Sequence, residues 1–193
     1  MLEESAVATG MRAPPRLRVG AAVAIALAAG FVTWLVLRPG PDSQAVSQVA
    51  PASAVPRLVP AAQLRGHAAS LGHPLYWAGR RPGLRYELTE AGGGRTYIRY
   101  LPLNVAAGDR RLQFLAIGTY ARQDAFSETE AAGRRPGVVT LELAGGGIAV
   151  YDRKRPTSVY VAYPRSHVQV EVYDPSARLA RQLVLARQVV PIK

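Results

Sequence analysis

The chain has 193 residues, of which 24 are Lys or Arg, 13 are Asp or Glu and 49% are hydrophobic. This length suits one packed domain with an appended segment, and the hydrophobic content excludes a chain that is disordered throughout. Because the sequence contains no cysteine, disulfide scaffolds, Cys-ligated zinc, iron–sulfur clusters and thiol nucleophiles are excluded as well.

An uncharged stretch at residues 19–37 dominates the N-terminal part of the chain. As a helix it would be roughly 28 Å long, close to the ~30 Å hydrocarbon core of a bilayer. Arg12, Arg16 and Arg18 precede it, so the positive-inside rule predicts a cytoplasmic tail at 1–18, a transmembrane helix at 19–37 and an extracytoplasmic remainder. The expected location is the cell membrane, in a single pass. The alternative is a cleaved signal peptide, although the apolar region of such peptides is shorter, about 7–15 residues.

Small residues recur at every fourth position of this stretch, for example Gly20, Ala24 and Ala28. This spacing would let two such helices pack closely, and it makes a homodimer through the transmembrane helix one hypothesis about partners. Alanine is abundant here, so the pattern also arises by chance.

Residues 38–59 are rich in Pro, Ala, Ser and Gln and lack a sustained apolar period. Such composition is typical of an extended linker. We therefore predict that the folded domain comprises residues 60–193.

Within this domain the apolar spacing predicts three short helices and a set of antiparallel strands. The expected helices are 61–71, 124–132 and 176–187, the last being amphipathic. The expected strands are 84–90, 96–102, 111–120, 138–143, 148–151, 158–163 and 168–173. The fold class predicted is α+β, with about six to eight antiparallel strands and the helices covering a face of the sheet.

A sequence pattern occurs twice in the domain. Arg80-Arg81-Pro82-Gly83 precedes a strand that ends in a Gly-Gly-Gly run, and Arg134-Arg135-Pro136-Gly137 precedes another such strand and run. The Gly runs are interpreted as hairpin turns, since neither continues into a phosphate-binding motif. The repetition favours two duplicated strand-rich halves.

Side chains suited to catalysis are sparse. His67, His73 and His167 are isolated, and no zinc-type spacing of His and Glu occurs. We therefore assign no catalytic, cofactor-binding or metal-binding residues and expect no cofactor. Whether the chain is an enzyme stays open, with a non-catalytic role favoured.

The basic residues belong mainly to the predicted extracytoplasmic part, because removal of residues 1–37 leaves 21 basic and 11 acidic residues. This topology argues against nucleic acid as a partner. The densest run is Arg153-Lys154-Arg155 in a predicted loop. We interpret it as a candidate contact for anionic lipid headgroups or an anionic envelope polymer, against the simpler view that it is a solvated loop.

A second candidate surface is formed by His73, Tyr76 and Trp77, which follow the first predicted helix. Amphipathic aromatic residues are enriched at interface hot spots, so this segment is a candidate recognition patch. Packing in the core is the simpler explanation for the two aromatic residues.

The segments LGHPLYWAG, TYIRYLP, TSVYVAYP and VEVYDP resemble the C-terminal domain of uncharacterised single-pass membrane proteins from high-GC actinobacteria. The resemblance covers about Leu71 to the C-terminus and implies membrane attachment, with no activity and no catalytic residue to transfer. We expect a membrane-anchored extracytoplasmic interaction or envelope-associated module, in contact with the membrane and with another envelope protein or an anionic polymer. The alternatives are an envelope-acting hydrolase whose site is assembled from separate strands, and a secreted soluble domain.

Overall fold

The computed structural model describes residues 54–193, so the predicted tail, the predicted transmembrane helix and linker residues 38–53 lie outside the described residues. The helices are α1 (Ala61–Ser70), α2 (Ala125–Gly133) and α3 (Ala177–Leu185). The strands are β1 (Arg57–Val59), β2 (Tyr76–Trp77), β3 (Leu84–Ala91), β4 (Arg95–Pro102), β5 (Ala116–Ala121), β6 (Val138–Leu143), β7 (Gly147–Asp152), β8 (Arg155–Ala162), β9 (Val168–Tyr173) and β10 (Val190–Pro191).

Eight of these strands form one antiparallel sheet in the order β1-β3-β4-β5-β9-β8-β7-β6, and β10 pairs with β2 in a separate small sheet. The predicted α+β class is confirmed. Both Gly-Gly-Gly runs are hairpin turns as predicted, joining β3 to β4 and β6 to β7. In the three-residue loop between β3 and β4, Gly93 and Gly94 adopt positive φ angles of 77° and 69°, a conformation that glycine adopts without strain.

Alternation along the strands gives the sheet two faces. On β9 the first face carries Val168, Val170 and Val172, and the second face carries Gln169 and Glu171. Because all five side chains are buried, both faces of the central strand must be covered. This is why the polar positions of β9 do not face solvent.

The first face packs against α1, α3 and the β2–β10 pair. Leu64 of α1 and Leu183 and Val184 of α3 are buried in the same apolar cluster as the valines of β9. Helix α3 begins where the Ser176 hydroxyl accepts a hydrogen bond from the Leu179 N–H, which satisfies one free donor of the first turn. The helix is amphipathic as predicted, but its buried side chains are Ala180, Leu183 and Val184, whereas the sequence favours Leu179, Leu183 and Ala186 as the inward stripe; Leu179 and Ala186 are exposed.

The second face is covered by α2 and by the irregular segment 103–115. Thr129 of α2 accepts a hydrogen bond of 2.7 Å from the Gln169 amide. Segment 103–115 is held by an ion pair with the buried Glu87, in which the Arg99 guanidinium, 12% exposed, donates to Glu87 at 2.8 Å and also to the Asp109 carbonyl. The helices therefore lie on both faces of the sheet, where the sequence analysis expected them on one.

The predicted strand 111–120 is correct only in its second half, since β5 begins at Ala116. The first half belongs to segment 103–115, where Phe114 packs with Leu101 and lies between the guanidinium groups of Arg99 and Arg111. The apolar alternation favours an extended strand here, but the two cation–π contacts of Phe114 stabilise the irregular backbone instead. The short strand β1 lies within the segment predicted as linker.

Among residues 54–193, no helix is both long enough and apolar enough to cross a bilayer.

Candidate functional site

The two arginine-rich segments at the β6–β7 side of the sheet lie next to each other. The Arg153 N–H donates a hydrogen bond of 2.9 Å to the Gly137 carbonyl, which ties the β7–β8 turn to the start of β6. Arg134 and Arg135 directly precede this start. We use the name basic corner for the five cations that this contact assembles: Arg134, Arg135, Arg153, Lys154 and Arg155.

The predicted loop is a tight turn: Arg153 and Lys154 lie in it, and Arg155 begins β8. Asp152 pairs with Arg155 across it, and the Asp152 carboxylate accepts a hydrogen bond of 2.7 Å from the Lys154 N–H. Arg153, Lys154 and Arg155 are all exposed. Arg134 pairs with Glu130 at 3.0 Å, but both side chains are largely in solvent and the pair contributes little stability. The three exposed cations at this turn, next to the single carboxylate of Asp152, make the corner positive.

The candidate recognition patch has three different environments. His73 lies in a turn with its Nδ1 atom 3.2 Å from the Pro74 carbonyl oxygen, a local contact. Trp77 packs edge-on against Tyr86 with ring centroids 6.0 Å apart. Tyr76 instead lines a cleft.

The cleft lies on the first face of the sheet and has a volume of about 220 Å³. Strand ends, the C-terminal end of α3 and strand β10 form its walls. Its lining is mainly aliphatic: Leu143, Val161, Val170, Val184, Val189, Val190 and Pro191. Tyr76, Tyr163 and Arg187 supply its polar groups. Burial, and then the neighbouring Tyr163, raise the pKa of Tyr76 above its usual value, so its hydroxyl keeps its proton at physiological pH.

A buried carboxyl group lies on the second face. Glu171 is 3% exposed, and its two carboxylate oxygens accept hydrogen bonds from the Tyr120 and Tyr160 hydroxyls, the latter at 3.0 Å. No cation pairs with Glu171 within residues 54–193. Burial therefore raises the pKa of this carboxyl group above its usual value.

The tyrosine hydroxyls around Glu171 stay protonated over a wide pH range. Burial, followed by the nearby Glu171, raises the pKa of both Tyr120 and Tyr160 well above the usual value. Burial raises the pKa of Tyr97 to about 12, and its ring packs edge-on against that of Tyr120. All four side chains of the cluster are buried, so it belongs to the interior of the second face.

The only sequence signal for the cluster is a glycine. A Cβ atom at Gly118 would lie 2.8 Å from the Tyr120 hydroxyl. Glu171 on β9 is the cross-strand partner of Gly118. The missing side chain at Gly118 therefore leaves the space through which the Tyr120 ring reaches Glu171. A glycine within an apolar strand indicates such a close approach, but not which side chain makes it.

Within the part of the chain that the structure describes, no three His, Asp or Glu side chains lie close enough together to hold a metal ion. Comparison with known proteins finds no family model, no curated protein and no solved structure that matches this chain.

Proposed function

We propose that the chain is a membrane-anchored interaction module whose folded domain lies outside the cytoplasm and contacts an anionic envelope polymer through the basic corner. The observation that carries this proposal is the contact between Arg153 and Gly137, which brings two separate cationic segments next to each other. Four of the five cations are exposed: Arg134, Arg153, Lys154 and Arg155. Guanidinium groups form charge-assisted, two-point hydrogen bonds with carboxylate and phosphate groups, so a polymer with repeated anionic groups suits several of them at once.

The position of the corner in the sheet favours a polymer over the lipid headgroups of the anchoring membrane. The linker joins at β1, and the corner adjoins β6 at the other border of the sheet. Seven strand spacings of ~4.8 Å separate these borders by about 34 Å. A contact site this far from the attachment point suits a partner located beyond the headgroups.

The membrane anchor is part of the same proposal. Its support is the uncharged stretch 19–37 with three arginines before it, together with the resemblance to single-pass membrane proteins. A reporter enzyme fused after Lys193 tests the orientation, since we expect activity only when the reporter functions outside the cytoplasm. Activity only in the cytoplasm would reverse the topology and remove the envelope polymer as a partner.

We also propose that the sheet contains two duplicated halves. The two hairpins that start with Arg-Arg-Pro-Gly, β3–β4 and β6–β7, occupy equivalent places in the strand order on either side of β9. Both start at the same end of the sheet and turn at the other end. This equivalence supports the duplication.

Sedimentation of the full chain with isolated envelope polymer, in mild detergent and at a series of salt concentrations, tests the contact. Reversal of charge at Arg153, Lys154 and Arg155 to Glu should abolish most of the binding, and the remaining binding should depend less on salt. The matched control reverses Arg65, Arg165 and Lys193, which are exposed and lie outside the corner. Equal loss in both triple variants would show that net charge, not the corner, causes binding; unchanged binding in the first would refute the proposal.

A further inference from the structure

We propose that the cleft on the first face binds a small organic carboxylate with an apolar body, held by Arg187 at its carboxylate end. This inference concerns a different surface from the basic corner and does not depend on the polymer contact. Three features of the cleft support it: its apolar walls, the conformation of Arg187, and two tyrosine hydroxyls.

The walls of the cleft select for an apolar body of limited size. Val161 and Val170 form its floor on adjacent strands, and Val184 and Val190 belong to α3 and β10. At about 220 Å³, the space suits a ring or a short branched chain and is smaller than the pockets that hold drug-sized ligands. The pairing of β10 with β2 and the end of α3 bound the cleft, so a small molecule fits it better than an added strand or helix.

Arg187 occupies a position where glycine is the usual residue. Helix α3 ends in a Schellman motif, with hydrogen bonds of 3.0 Å from the Gln188 N–H to the Leu183 carbonyl and from the Arg187 N–H to the Val184 carbonyl. The motif places Arg187 in the left-handed region, with a φ of 56°. A non-glycine residue there carries backbone strain, and such strain is concentrated at functional positions.

The guanidinium of Arg187 is available to a ligand. The residue is exposed, lines the cleft, and forms no ion pair within residues 54–193. A carboxylate is its natural partner, because the planar fork of donors matches the two carboxylate oxygens. Tyr76 and Tyr163 also line the cleft, and a tyrosine hydroxyl can donate a hydrogen bond to a carboxylate. Charge complementarity therefore selects an anion over a neutral or cationic ligand of the same shape.

Binding of a matched pair of probes tests the inference. 4-Fluorophenylacetate carries the carboxylate, and 4-fluorophenylacetamide has the same body without charge. We expect titration of the full chain in detergent, followed by ¹⁹F NMR with protein-free micelles as the blank, to show the acid binding on the order of tenfold more tightly than the amide. Arg187→Gly should bring the two affinities together without weakening amide binding.

Arg165→Gly is the matched control, because Arg165 is an exposed arginine with a φ of 63° that does not line the cleft. Both glycine variants lose one charge and relieve the same kind of backbone strain, and each should raise the Tm by about 2–4 °C. Only Arg187→Gly should lose the preference for the acid. Equal affinities for acid and amide in the unmodified chain, the same loss in both variants, or no binding of either probe at about 10 mM would overturn the inference.

Discussion

Replacement of Glu171 by Gln should change how the stability of the domain depends on pH. In the folded state this carboxyl group is buried between two tyrosine hydroxyls, and burial raises its pKa above 4.5, the ordinary value that it regains in the unfolded chain. Between these two pKa values the folded state binds more protons than the unfolded state. The free energy of unfolding of the unmodified protein must therefore decrease as the pH rises through this window.

The size of this effect follows from the linkage relation. Each pH unit inside the window lowers the free energy of unfolding by about 1.4 kcal/mol. For a domain of this length, that corresponds to a decrease in Tm of about 4–5 °C per unit. Tyr120 and Tyr160 stay protonated across the window, because their pKa values are raised well above the usual value. Glu171 is therefore the group in the cluster that titrates.

Glu171→Gln keeps the side-chain volume and an acceptor oxygen but cannot ionise. Relative to the unmodified protein, the variant should become steadily more stable as the pH rises above 4.5, until the raised pKa is passed. Thermal unfolding of the full chain, followed by near-ultraviolet circular dichroism from pH 4 to about pH 9, measures this difference. Glu142→Gln removes an exposed carboxyl group of β6 and should leave the profile unchanged. Parallel profiles for the unmodified protein and Glu171→Gln would refute the reasoning.

Two further substitutions test how the faces of the sheet are covered. Glu87→Gln leaves the Arg99 guanidinium without its carboxylate partner. Denaturant titration should show that the free energy of unfolding falls by about 3 kcal/mol. A fall of less than about 1 kcal/mol would show that segment 103–115 does not depend on the pair. Gly147→Ala would place a Cβ atom 2.3 Å from the Tyr163 ring and should cost about 1–3 kcal/mol. In contrast, Gly92→Ala meets no atom within 4 Å and should be nearly neutral, so equal effects at the two glycines would contradict the packing argument.

The sequence predicts the hairpins and helices well because each has a local cause. The Gly-Gly-Gly runs define both long hairpins, and the apolar stripe defines α3. Strands β1, β2 and β10 have two or three residues each, too few for a periodic pattern. Their extended conformation depends on partners that are distant in the sequence.

The burial of the Glu171 carboxyl group and the shape of the cleft could not be predicted from the sequence, for the same reason. Alternation along β9 indicates two faces, but only the packing of α2 makes the face that carries Glu171 an interior one. The cleft combines residues between Tyr76 and Pro191, and Tyr76 is the one member that the sequence analysis proposed for recognition. The left-handed conformation of Arg187 comes from the end of α3, where the sequence offers no glycine to indicate it.

Strand β6 also has a consequence for the behaviour of the protein at high concentration. It is a border strand of six residues, so one row of its backbone N–H and C=O groups can template the addition of a strand from another molecule. The cations at its start act as gatekeepers, because two copies aligned in parallel would bring like charges together. Salt or a bound polyanion screens this repulsion. We therefore expect fibrous or amorphous aggregation to begin at high salt or with a bound polyanion, and to start at strand β6.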